Sequence, residues 1–159
     1  MEDGKIIVSI KPELADFCRH EFGIKSNEIP INRNHEIGRF ITSHILISET
    51  PTKNVKMKHP VEIIPPTSPF TKNHFTFISA WGQIKINDFL QSLFDLRVQQ
   101  FFFYGYEKKF EQKQIVEAFL RGYNIKHDSF SYEQIKKNDY RKRVRHELNT
   151  FKSIQEAII

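Results

Sequence analysis

The side chains of this chain that could do chemistry are concentrated in one short basic segment, residues 136–145. It holds six cations, namely Lys136, Lys137, Arg141, Lys142, Arg143 and Arg145. Positive charge at this density would bind phosphates and release their counterions. Arginine adds a planar guanidinium group, which can form paired hydrogen bonds with a phosphate or with the edge of a guanine. Asn138 would contact adenine if it faced a groove, and Asp139 is the one opposing charge. The segment predicts nucleic-acid contact, with a solvent-exposed helix face and an acidic protein partner as alternatives.

The net positive charge of the chain is unevenly distributed, and this distribution supports the same interpretation. Over 159 residues, 24 lysines and arginines oppose 19 acidic residues, which gives a net charge of +5. Residues 1–104 carry 12 basic and 11 acidic groups, whereas residues 105–159 carry 12 and 8. Four of the five net charges therefore lie in the last third of the chain.

Enzymatic chemistry has little support in the sequence. The seven histidines never fall three or four residues apart, and Cys18 has no second cysteine as a partner. A metal-dependent nuclease would need carboxylates such as Asp88 or Asp95 near Glu107, at strand ends, but these residues lie on or between predicted helices. The sequence predicts no enzyme, no cofactor and no metal.

The compartment is predicted from the same single thiol. One cysteine fits a reducing, cytoplasmic setting. The apolar run after the acidic N-terminus, Ile6–Ile10, is too short for a signal peptide or a membrane span. We expect a cytoplasmic protein with no membrane partner.

The basic segment is expected to lie on a helix. Ser131 and Gln134 match the Ser-x-x-Gln capping box, which predicts a helix over 131–146. Another helix is predicted over 111–123, and residues 124–130 connect the two. This pair resembles a helix-turn-helix, whose second helix lies in the major groove. An αα-hairpin is the alternative.

The remaining elements form a small sheet and further helices. Apolar spacing predicts one helix from Ile86 that ends near Gly105. Strands are predicted over 5–10, 28–31, 61–64 and 75–78. One upstream helix is predicted from Lys11 to Gly23. A second upstream helix is predicted to be capped by Asn32 or Asn34, and its core face would consist of Ile37, Phe40, Ile41 and Ile45. The fifteen phenylalanines predict a tight core, with a stacking surface for bases as the alternative.

These elements predict an α+β fold. A small N-terminal α/β unit with two to four short strands would occupy residues 1–66, followed by an extended packing segment over 67–82. A three-helix part with the basic helix at its end would occupy residues 83–159.

The opening of the chain, Lys5–Phe22, resembles a ribbon-helix-helix protein, because a strand is followed by Lys-Pro-Glu-Leu. The resemblance implies a dimer whose strands enter the major groove, with Lys5, Ile7 and Ser9 facing outward. A strand that joins an internal sheet is the alternative.

Three short patterns, 37–41, 86–90 and 132–143, are similar to those of small uncharacterised proteins from phages and conjugative elements of gut bacteria. That resemblance implies a small basic protein of a mobile element and assigns no residue a role. From the residues themselves we predict a non-enzymatic protein that binds double-stranded DNA, as a regulator or in another role. A homodimer would suit groove binding. The alternative is a protein-interaction or phage-structural protein that uses the basic helix or the Phe-rich face.

Overall fold

The described part of the chain has the α+β architecture that the sequence predicts. A computed structural model describes residues 4–52, 57–69, 74–126, 128–139 and 152–158. The chain divides into two compact units, Met1–Phe94 and Asp95–Ile159. Short strands lie in the first unit and helices dominate the second, which confirms the predicted fold class.

Five strands are described in the first unit. They are β1 (Ile6–Ser9), β2 (Ile29–Pro30), β3 (Ile45–Ser48), β4 (Pro60–Ile64) and β5 (Phe75–Ile78). A three-stranded sheet has the order β1-β4-β2, with β1 antiparallel and β2 parallel to β4, and a separate antiparallel pair joins β3 to β5. Proline is tolerated in β2 because that strand lies at a sheet edge.

The position of β1 decides between the two interpretations of the chain opening. Val8 pairs with Val61 of β4, and both side chains are buried. Lys5, which the ribbon-helix-helix resemblance would turn toward DNA, hydrogen-bonds Glu28 and lies 3.7 Å from Glu62. The internal-sheet alternative is therefore confirmed.

Two helices follow the strands of this unit, α1 (Pro12–Phe22) and α2 (Glu36–Ser43). On the predicted apolar face of α1, Leu14, Phe17 and Cys18 are buried and Phe22, at the end of the helix, is half-buried. The predicted asparagine cap of α2 is wrong, because His35 occupies the N-cap and its Nδ1 accepts from the Ile37 amide at 3.1 Å. Asn32 instead stabilises the preceding turn, where its Oδ1 accepts from the Asn34 amide at 2.9 Å.

Helix α2 is shorter than its apolar pattern suggests. Ile45 was expected on its core face, but the helix ends at Ser43 and Ile45 begins β3. Strand β3 is absent from the sequence prediction because an Ile-Leu-Ile run directly after a helix continues the helical spacing. Pairing with β5 selects the extended conformation, which β-branched residues favour.

The elements described in the C-terminal part are helices. These are α3 (Ala80–Glu107), α4 (Gln112–Gly122) and α5 (Ser129–Lys136), and residues 152–158 are also helical. In the first unit, α3 is joined to β1 by Asn87, whose Nδ2 donates to the Ser9 carbonyl at 2.8 Å. In the second unit, Val98 and Phe102 of α3 are buried, as are Val116 and Phe119 of α4.

Candidate nucleic-acid interface

The helix that leads into the basic segment begins earlier than predicted. Asp128 is the N-cap of α5, and its Oδ1 accepts from the Ser131 amide at 2.8 Å. The predicted capping box at Ser131 is therefore wrong. A carboxylate three residues upstream caps the same amide, so the helix starts at Ser129 and Ser131 becomes a nearly buried residue inside it.

The same helix also ends earlier than predicted. Lys137 is its C-cap, and the amides of Asn138 and Asp139 donate to the carbonyls of Ile135 and Lys136 at 3.0 and 3.2 Å. The prediction of one continuous helix over 131–146 is therefore wrong for residues 137–139, because a turn follows Lys136. Four predicted site residues lie outside the described residues, namely Arg141, Lys142, Arg143 and Arg145.

The predicted site residues that are described occupy different environments. Lys137 is exposed and Lys136 is half-buried. Asn138 is only 9% exposed, and its Nδ2 donates to Asp95 Oδ1 of α3 at 2.9 Å. This hydrogen bond holds Asn138 against the helix scaffold, and the base contact assigned to Asn138 stays a prediction.

Asp139 is the buried anchor of the basic segment. Its side chain is 2% exposed, and Oδ2 accepts from the Tyr106 hydroxyl at 2.5 Å and from Gln112 Nε2 at 2.8 Å. Together with the contact between Asn138 and Asp95, these bonds fix the chain after α5 to α3 and to the start of α4. Sequence reasoning missed this anchor because Asp139 lies 33 and 27 residues from its donors, so no local pattern reveals it.

The aspartates of the second unit are hydrogen-bond acceptors inside it. Asp95, Asp128 and Asp139 each accept from a residue of the same unit. Exposed cations are distributed along the described part of this unit, and they are Lys108, Lys109, Lys113, Arg121, Lys126, Lys137 and Lys152. Among the described residues of this unit, the exposed carboxyl groups are those of Glu107, Glu111, Glu133 and Glu156, so the exposed charges are of both signs with cations in the majority.

Comparison with protein-family models, with curated proteins and with solved structures finds no match. Within the described ranges, no three His, Cys, Asp or Glu residues lie close enough together to hold a metal ion. Among those residues, no helix combines the length and the apolar composition that a membrane span requires.

Proposed function

We propose that this protein is a non-enzymatic DNA-binding protein whose basic segment, residues 136–145, contacts the phosphates of duplex DNA. The observation that carries the proposal is the buried position of Asp139. The one carboxyl group within the segment is directed at Tyr106 and Gln112, while Lys137 is exposed. Anchoring at residues 138 and 139 also gives the following arginines a fixed starting point, which lowers the entropy lost on binding.

The proposal includes the setting in which the protein would act. We expect it to bind DNA in the cytoplasm of a bacterium, as the resemblance to mobile-element proteins implies, and symmetric DNA sites would suit a homodimer. Affinity would come from Lys136, Lys137, Arg141, Lys142, Arg143 and Arg145, since phosphate contacts supply most sequence-independent binding.

A salt titration tests the proposal. If about five phosphates are neutralised, the logarithm of the association constant falls with log salt at a slope of about −4.5. Fluorescence anisotropy of a labelled short duplex, measured between about 50 and about 200 mM salt, gives this slope. The double variant Arg141→Gln/Arg143→Gln should have a shallower slope, of about −2.7.

The control carries the same charge loss elsewhere in the second unit. Lys109→Gln with Lys126→Gln removes two exposed cations outside the segment and should leave the slope near that of the unchanged protein. Binding that ignores salt, or equal losses in both double variants, would contradict the proposal.

A protein-interaction role is the second candidate, and exposed aromatic side chains favour it. Phe103, Tyr104 and Phe110 are each at least half exposed in the second unit. Capture of partners from bacterial lysate, with and without nuclease treatment, separates the two functions. Partners that persist after the DNA is destroyed favour the protein-interaction role.

A further inference from the structure

A groove of about 640 Å³ lies in the second unit, between the C-terminal part of α3 and α4. Aromatic side chains form much of its lining: Phe101 and Tyr104 from α3 and Phe110 from the connection. Tyr104 is 65% exposed and Phe110 is 53% exposed. The groove thus presents aromatic surface to solvent, and its volume is within the range of small-molecule sites.

The walls of the groove are held in place by close packing. At Gly105, an added Cβ would lie 2.5 Å from Cγ1 and Cδ1 of Ile115, so a residue without a side chain lets α3 and α4 approach. Phe101 packs edge-on against the buried Phe119 with 5.0 Å between ring centroids. At the start of α4, the Glu111 amide donates to Gln114 Oε1 at 2.9 Å in a capping box. The groove is therefore preformed.

The rim of the groove is polar and has a net positive charge. Lys108 and Arg121 line it and are exposed. Glu117 is the one carboxylate among the lining residues, and Lys113 lies 4.0 Å from it. Two cations beside aromatic walls complement a ligand that has an apolar body and an anionic end, because guanidinium and ammonium groups both bind carboxylates and sulfonates.

We propose that this groove binds a small amphipathic anion, with its apolar or aromatic body against Phe101, Tyr104 and Phe110. The anionic group lies between Lys108 and Arg121. This site is independent of the proposed DNA contact, because none of the residues that form it belongs to the basic segment.

The test uses the full chain, without DNA, and the fluorescent probe anilinonaphthalene sulfonate. We expect saturable binding of one probe per chain, competition by decanoate, and much weaker competition by decylamine, which has the opposite charge. Lys108→Gln with Arg121→Gln should weaken binding about tenfold, as expected for the loss of charged hydrogen bonds.

Two further variants separate the groove from other surfaces. Ala118→Phe places a ring in the groove from an exposed position of α4 and should abolish probe binding. The double variant Lys109→Gln/Lys126→Gln loses the same charge outside the groove lining and should bind the probe normally. Thermal melts establish that each variant folds. Probe binding that survives Ala118→Phe, equal losses in the two charge variants, or equal competition by decylamine would overturn the proposal. A failed DNA titration would leave it intact.

Discussion

Cys18 is the residue whose chemistry the fold changes most. It lies on the buried face of α1, and burial raises the pKa of its thiol to about 12. The thiolate is the reactive form, so a thiol with this pKa is inert near neutral pH. We expect Ellman's reagent to find no reactive thiol in the native protein at pH 8 and one per chain in guanidinium chloride. A thiol that reacts fully before unfolding would contradict this prediction.

The same pKa shift makes the free energy of unfolding depend on pH. The unfolded thiol has the ordinary pKa of 9.0, below the folded value of about 12, so the unfolded chain releases its proton first. The contribution of Cys18 is fully present below pH 9 and is lost as the pH rises toward 12, by at most about 1.4 kcal/mol per pH unit. Urea unfolding of the protein and of Cys18→Ala between pH 8 and 11 checks this, because the difference in stability should shrink with pH.

At the scale of elements, the packing of α2 depends on one glycine. A Cβ added at Gly38 would lie 1.8 Å from the backbone carbonyl oxygen of Asn32. Because that atom belongs to the backbone of the preceding turn, the contact can be relieved only by moving α2 or the turn. We expect Gly38→Ala to destabilise the protein by about 3 kcal/mol or more, as measured by urea unfolding.

Gly122 provides the matched control for this substitution. It also lies in a helix, at the end of α4, but an added Cβ meets nothing within 4 Å. Gly122→Ala should therefore be neutral or stabilise the protein by about 0.4–1 kcal/mol, since alanine restricts the unfolded chain. Equal unfolding midpoints for the two variants would show that α2 does not depend on this close approach.

Elements with a strong local pattern were predictable from the sequence, and those decided by distant contacts were not. The apolar spacing of α1 and α4 and the β-branched content of β1 and β4 survive in the structure because packing reinforces them. The two ends of α5 depend on choices between neighbouring residues. Both Asp128 and Ser131 are good caps, and the sequence does not reveal that Asp128 occupies the N-cap.

For the whole molecule, the distribution of charge matters more than its sum. The sequence indicates a surplus of cations in the last third and identifies Asp139 as the one opposing charge of the basic segment, but it does not show that this carboxyl group is buried. Burial against Tyr106 and Gln112 removes that carboxyl group from the surface and makes it the anchor of the segment. Such an arrangement requires α3, α4 and α5 to meet, so a pattern within any one of them could not predict it.

This anchor connects the stability of the second unit to the proposed DNA contact, and Tyr106→Phe tests the connection. Loss of the hydroxyl leaves the buried Asp139 with one fewer donor, which should lower the free energy of unfolding by about 1–3 kcal/mol. The basic segment keeps its cations, but it loses one of the hydrogen bonds that hold Asp139 in place. We therefore expect the affinity for duplex DNA to fall while the salt slope stays unchanged, because the same phosphates are contacted.

Tyr104→Phe is the matched control, since it removes the same hydroxyl group from a side chain that is 65% exposed. Urea unfolding and DNA anisotropy should both resemble those of the unchanged protein. If Tyr104→Phe lost as much stability as Tyr106→Phe, the hydrogen bond to Asp139 would not be the cause. If Tyr106→Phe lost stability but kept its full affinity for DNA, the anchor would stabilise the fold without positioning the basic segment. The contacts of the arginines after Asp139 with phosphates would then not depend on this hydrogen bond.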